Sequence, residues 1–232
     1  MLDQFDITKR WPAEKPDVIQ LYSLPTPNGI KVSTMLEETG LAYEPHLVNF
    51  ADDDQFTPEF LSLNPNNKIP AIIDPDGPGG TPLPLWETGA ILIYLAEKTG
   101  KFLPVDPAKR YETLQWLMWQ MGGVGPMMGQ FGFFHAFAGK AFEDKRPFER
   151  YKDESIRLLG VLNERLEGRE FIMGDEYTIA DIAVWPWIRV LEGHYKAHDL
   201  LEMDDVPNVN RWFKTCMERP ASKKAVHIPR RG

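Results

Sequence analysis

Cysteine is almost missing from this chain: one residue, Cys216, among 232. One cysteine permits neither an internal disulfide nor a cysteine-type metal site. A surplus of positive charge is missing as well. Lys and Arg number 26 against 34 Asp and Glu, a formal net charge of −8, so there is no electrostatic footprint of a nucleic-acid binder. The basic residues near the end (Lys223, Lys224, Arg230, Arg231) read as a short solvated tail. No run of 18 apolar residues exists, so no membrane span is expected. The opening stretch, Met1 to Lys15, is polar and has no apolar signal core, which predicts an intracellular, cytoplasmic protein. What the chain does have is a hydrophobic content of 43%, enough for one large domain or two small ones.

The most informative stretch runs from Asn64 to Glu97. A polar loop, Asn64-Pro65-Asn66-Asn67-Lys68, passes through Ile69-Pro70 into the short β-branched run Ala71 to Asp74. The turn residues from Pro75 to Gly80 then predict a reversal, so Leu83 to Trp86 can pair antiparallel with Ala71 to Asp74. After Trp86 the alternation stops, and a buried helix closed by Gly100 is predicted. Pro70 has no N–H, which leaves a neighbouring backbone group for a ligand. Glu87-Thr88-Gly89 opens the helix, where unpaired N–H groups favour a carboxylate while Glu87 can hold an ammonium. An α-amino acid carries both groups. The same residues equally suit plain structural roles, Thr88 as a cap and Pro70 as a strand-edge proline.

Around this stretch the pattern divides the chain. Residues 1–17, without periodicity, read as an extended N-terminal arm touching the body through Trp11. Residues 18–100 read as an α/β domain. Val18 to Tyr22 is a strand, a helix runs from Pro27 or Asn28 to Gly40, and Leu47 to Phe50 is a second strand, parallel to the first through a right-handed crossover. A loop from Asp52 leads to a short helix. Residues 101–107, with Pro104 and Pro107, form a linker, and residues 108–232 form an all-helical domain. There, Leu114, Leu117, Met118 and Met121 mark one helix face, and Gly122 to Pro126 interrupts the helix. Pro147 opens a long helix, and Thr178 to Asp181 is a capping box. Pro207 starts a last helix, which Pro220 ends.

Several residue groups invite a chemical reading. Thr26 and Asn28 stand where a strand hands over to a helix N-terminus and can donate to an anion, although turn and cap roles need the same residues. Cys216 has core spacing, and a buried thiol is inert; the first strand–helix loop, residues 23–28, contains no cysteine. His194 and His198 lie four apart, but nothing in the spacing supplies a third metal ligand, so no metal is expected. The glycines from Gly122 to Gly129 follow a helix and lack the context of a phosphate loop. Arg150 can make a bidentate contact to a carboxylate; pairing with Glu149 or Asp153 on the surface is the simpler reading.

Taken together, four motifs in order resemble the glutathione transferase superfamily, most closely its bacterial Nu-class branch. They are Leu21-Tyr22-Ser23 with Pro25-Thr26-Pro27-Asn28-Gly29; Asn64 to Ala71; Trp86-Glu87-Thr88-Gly89 running into Leu92-Ile93-Tyr94-Leu95; and Tyr177 to Asp181. The resemblance implies a thioredoxin-like N-terminal domain, an all-helical C-terminal domain, a homodimer, and glutathione held between the domains. It also implies site roles. Ile69, before a cis Pro70, would bond the cysteinyl backbone, and Glu87 and Thr88 would hold the γ-glutamyl end. Gln55 and Lys68 would lie near the tripeptide's backbone and carboxylates, Arg150 would reach in from the helical domain, and Thr26 and Asn28 would face the sulfur. Threonine stands at position 88 where serine is usual, and it keeps the hydroxyl. The implied activity is glutathione-dependent reduction of a small disulfide, without a protein cysteine. The alternatives are conjugation of glutathione to an apolar electrophile held by Phe131, Phe134 and tryptophans, peroxide reduction, or a non-catalytic glutathione-binding module.

Overall fold

The computed structural model describes residues 2–230, which form two compact units. The first unit holds the chain up to Thr99 together with the segment from Pro220 onward; the second is Gly100–Arg219. Residues 220–230 therefore pack with the α/β unit, not with the helical one to which the sequence reading joins them.

In the first unit a short 3-10 turn, Leu2–Gln4, precedes helix α1 (Ile7–Arg10). Strand β1 (Ile19–Ser23), helix α2 (Pro27–Thr39), strand β2 (Tyr43–Leu47) and helix α3 (Pro58–Leu63) follow. Strands β3 (Ala71–Asp74) and β4 (Leu83–Trp86) then lead to helix α4 (Thr88–Thr99). The sheet order is β2-β1-β3-β4, with β1 and β2 parallel and the other two pairings antiparallel. This is the expected thioredoxin-like layout, and Ala71 opposes Trp86 as Asp74 opposes Leu83. Helix α2 begins and ends where its signals stand. Thr26 caps it, Pro27 opens it, and Gly40 closes it at φ 73°, a left-handed conformation that glycine adopts without a Cβ clash.

Two expectations need correction here. The second strand is not Leu47 to Phe50 but Tyr43–Leu47. It lies at the sheet edge, where the missing N–H of Pro45 breaks no ladder that the fold needs. The chain leaves it at Asn49, whose side chain accepts from the Ala51 N–H at 3.1 Å and starts a 3-10 turn. The arm does lie on the body through Trp11, but it is not extended: it carries the 3-10 turn and α1. Leu2 and Ile7 are buried with Tyr22, Phe60, Ala71 and Ile73 in one core cluster. Trp11 packs edge-on against Tyr22 and Phe60 and donates its indole N–H to the Leu47 carbonyl at 2.9 Å. The N–H groups of Glu14 and Lys15 bond the Glu44 carboxylate, and Arg10 pairs with buried Asp54. One face of the sheet is thus closed by the arm and α3. Leu21 and Ile72 are buried too, and by strand alternation they point to the opposite face, toward α2 and α4.

The second unit is helical: α5 (Pro107–Trp119), a π-helical turn Gln120–Val124, α6 (Gly125–Ala136), α7 (Arg146–Arg165), α8 (Ile179–Glu192) and α9 (Pro207–Glu218). Among its described residues the only β pairing is one isolated bridge between Phe171 and Gly174. The capping box forms, with the Thr178 and Asp181 side chains each bonded to the other's backbone turn. Asp181 is fully buried and accepts from the N–H groups of Ile172 and Thr178 and from the Trp212 indole, each at 2.9 Å. Cys216 is buried beside that helix stripe, as its spacing requires. The face read on α5 is wrong: Thr113, Leu117, Gln120 and Val124 are buried, while Met118 is 52% exposed. The buried positions keep ordinary helical spacing, but two of them, Thr113 and Gln120, are polar, so a face read from apolar residues alone is set one position off. The helix opened by Pro207 stops at Glu218, just before Pro220 as read, but it is not the last: Pro220 starts another, α10 (Pro220–Ala225). That helix packs along α2 in the first unit, with Ser33 donating to the Ile228 carbonyl at 3.3 Å.

Because the arm supplies core, its loss has a core-sized cost. Ile7→Ala should destabilise the first unit by ~3 kcal/mol, in the range for emptying a buried aliphatic site, measured by urea unfolding followed at the tryptophans. A peripheral arm would give a change near zero.

Candidate active site

Pairing register decides which residues meet. Tyr22, Ala71 and Trp86 stand in one row across β1, β3 and β4, and Ser23 stands opposite Leu47 on β2. The chain leaves β1, β2 and β4, and enters β3, at this same end of the sheet. Residues 24–28, 48–55, 68–70 and 87–88 therefore all emerge there. With the exception of Arg150, every site residue named from the sequence lies in those four segments. Arg150 belongs to the second unit; it is on α7, exposed, with Nη1 3.8 Å from Glu154.

Thr26 is half-buried at the α2 N-cap, and its hydroxyl oxygen accepts from the Gly29 N–H at 3.3 Å. A hydroxyl that accepts at one lone pair still carries a proton to donate, so the cap role and an anion-facing role coexist. Asn28 stands at the second position of the same helix, half-buried. The loop turns tightly. A Cβ on Gly29 would lie 1.9 Å from the Leu24 carbonyl oxygen and 2.6 Å from Ser23 Oγ. Only glycine lets the helix start this close to the strand end.

Gln55 is half-buried in the turn Asp54–Phe56. Its Oε1 is buried and meets no hydrogen-bond partner among the described residues, so it is an acceptor waiting for an N–H donor. Lys68 is exposed; its backbone carbonyl is held by the Asn64 side chain at 2.6 Å. Ile69 is buried, and the Ile69–Pro70 bond is cis. Both residues precede the β3 ladder, which begins at Ala71.

Glu87 is exposed and holds φ at 72°, a left-handed conformation that costs a non-glycine residue about 1–3 kcal/mol. Its carbonyl accepts the Ile91 N–H at 2.9 Å, which makes it the cap position of α4. Glycine would sit there without strain, so a carboxylate kept at that position points to a use for the charge. Thr88, the first residue of α4, is buried. Beneath it lies a residue the sequence reading missed: Lys31, on α2, is 1% exposed and donates from Nζ to Thr88 Oγ1 at 3.3 Å. Burial lowers its pKa to about 7, against the pull of the Glu87 carboxylate. Nothing in the sequence marked it, since lysine is almost never fully buried.

Other candidates fall away. Tyr22 is buried, stacked on His46 with ring centroids 4.7 Å apart. Burial pushes its hydroxyl well above the ordinary phenol value, and its side chain lies in the core that the arm closes. His198 lies beyond the end of α8, between the carboxylates of Glu192 and Asp204 at 3.0 and 3.1 Å. Bonding to both raises its pKa to about 9. No group of three or more potential metal ligands occurs among the described residues. Nor is any helix among them long and apolar enough to cross a membrane. Phe131 is fully buried, against His135, Phe148 and Tyr195. It is core, not the wall of an apolar pocket.

Family models match on both sides of the division: the glutathione S-transferase N-terminal domain over residues 17–97 and the C-terminal domain over residues 126–220. The chain belongs to the glutathione S-transferase family. Among its relatives is the Escherichia coli disulfide-bond oxidoreductase YfcG, 45% identical over 210 residues, which span 90% of this chain and 94% of that one. A glutathione transferase from Burkholderia graminis, solved with two glutathione molecules per subunit, superposes with a TM-score of 0.98 at 65% identity. The match covers 100% of this chain and 97% of the other. One from Pseudomonas putida, solved with one glutathione disulfide per subunit, gives a TM-score of 0.97 at 61% identity over 98% and 99% of the two chains.

Since the Gly29 site has no room for a side chain, Gly29→Ala should force the Leu24 carbonyl aside. The expected cost is about 1–3 kcal/mol, as for overpacking elsewhere, seen as a lowered urea midpoint. An unchanged midpoint would show that the loop yields freely.

Proposed function

We propose that the protein is a glutathione-dependent disulfide reductase that works through the thiolate of bound glutathione. The observation carrying this reading is the coincidence of two facts. One sheet end gathers an anion-favouring helix start, an orphaned acceptor and a strained glutamate, while the sole cysteine is buried in the second unit. A disulfide exchange here must borrow its sulfur.

In this reading the γ-glutamyl ammonium meets Glu87, and its α-carboxylate meets Thr88 and the first N–H groups of α4. Gln55 Oε1 accepts from an N–H of the tripeptide, the Ile69 backbone pairs with its cysteinyl unit, and Lys68 lies near a carboxylate. The sulfur faces Thr26 and Asn28. A free thiol has a pKa of roughly 8.5, so donors from Thr26, Asn28 and the α2 N-terminus favour the thiolate at neutral pH. The thiolate attacks one sulfur of the substrate disulfide and forms a mixed disulfide with glutathione, while the other half leaves as a thiolate and takes up a proton. The thiolate of a second glutathione attacks the glutathione sulfur of the mixed species. The products are glutathione disulfide and the second thiol. Two glutathiones, or one glutathione disulfide, per subunit in the relatives supports both tripeptides meeting in one site. The name of YfcG supports disulfide exchange over conjugation. The burial of Phe131 removes one support for an apolar-electrophile reading. We also infer a homodimer, on family grounds.

Thr26→Ala should lower turnover of a small model disulfide at saturating glutathione by ~100-fold, the usual effect of deleting one anion-stabilising donor. Thr26→Ser should keep most of it. Loss of the cap should cost only about 1 kcal/mol of stability, so circular dichroism separates the two effects. Unchanged turnover in Thr26→Ala would remove this residue from the chemistry.

A further inference from the structure

Lys31 is the one fully buried lysine of the first unit, and nothing in the reaction above uses it. It lies on the α2 face that meets α4, and its ammonium donates to Thr88 Oγ1 at 3.3 Å. An oxygen that accepts from an ammonium keeps its own proton on the side away from Lys31. The same ammonium adds to the partial positive charge of the α4 N-terminus. We propose that Lys31 is a positioning residue that holds the Thr88 side chain at the start of α4 and supplies buried positive charge to the α-carboxylate of the glutathione γ-glutamyl group. The inference rests on the glutathione reading of this site.

A charged lysine kept in the core is costly to the fold, and burial lowers its pKa to about 7. Among the described residues, these charged groups lie on the elements packed against it. Glu87, at the start of α4, favours the protonated form. Glu97 and Lys98 lie at the far end of α4, exposed, with Lys98 on Asp74 at 2.9 Å. On α10, Lys223 and Lys224 are exposed, and Lys224 turns to Glu37 at 3.2 Å. A carboxylate arriving at Thr88 stabilises the ammonium. It therefore raises the Lys31 pKa, and binding near neutral pH takes a proton from solvent.

Proton uptake is the signature a merely structural lysine does not give. S-methylglutathione has no free thiol, so calorimetry with it between pH 6.5 and 7.5, in two buffers of different ionisation heat, counts protons from the protein. The expected result is uptake of a fraction of a proton per ligand by the natural protein. That uptake should vanish when the γ-glutamyl α-carboxylate is amidated. Lys31→Met should bind about ten-fold or more weakly, in line with loss of a charge-assisted contact, with no uptake, while melting no lower than the natural protein. Lys31→Arg should recover part of the affinity. Binding without proton uptake, or full affinity in Lys31→Met, would overturn the role of Lys31 alone. No binding at all by the natural protein would instead remove the glutathione reading, and this inference with it.

Discussion

Strand register governs the first unit. Side chains alternate with a period of two along each strand, so a shift of one residue would turn every strand residue to the other face. The row Tyr22, Ala71, Trp86 therefore does two jobs. It assigns Tyr22 to the core that the N-terminal arm closes, and it brings Thr26, Ile69 and Glu87 out at one end of the sheet. Two helices start from that end, α2 directly after β1 and α4 directly after β4. Two sets of unpaired N–H groups, with their partial positive charge, thus emerge near one another with no charged side chain required.

The side chains at that end carry costs that the fold alone does not explain. Glu87 takes a left-handed backbone that glycine would take without strain. Gln55 leaves a buried acceptor without a donor, and Lys31 keeps an amine out of water. Each is the sort of local inconsistency that concentrates at working sites. Their chemistry is complementary to an amino-acid-like ligand: Glu87 offers an acceptor for an ammonium, Gln55 an acceptor for an amide N–H, and Thr88 over Lys31 donors for a carboxylate.

Much of this was legible in the sequence because it is written in local chemistry. The α2 boundaries follow from Thr26, Pro27 and Gly40, and the β3–β4 hairpin from the turn residues between Asp74 and Thr81. The Thr178/Asp181 box follows from its spacing. What stayed hidden depends on contacts distant in the chain. Tyr43 to Leu47 reads poorly as a strand because Pro45 interrupts it, and only its edge position makes that harmless. Leu2 and Ile7 are too few to show a period, yet they close a core formed with Phe60 and Ile73. The α5 face is misread because two of its buried residues, Thr113 and Gln120, are polar and do not show in hydrophobic spacing. Lys31 looks like a solvent-facing helix residue until α4 is laid against it.

The scarcity of cysteine then takes on a mechanistic sense. A protein thiol in the first loop would form a mixed disulfide with the chain itself, which a further thiol would have to resolve. Here that loop offers Thr26 and Asn28 in its place, and Cys216 is sealed beneath Trp212 in the other unit. Tyr22, the nearest aromatic hydroxyl in sequence, is turned into the core and held neutral by burial. Hydroxyl, amide and helix start are all donors, and none can become a covalent partner for sulfur. In the proposed reading, a site so built favours a thiolate without competing with it, which fits a reaction whose two successive sulfurs both come from solution.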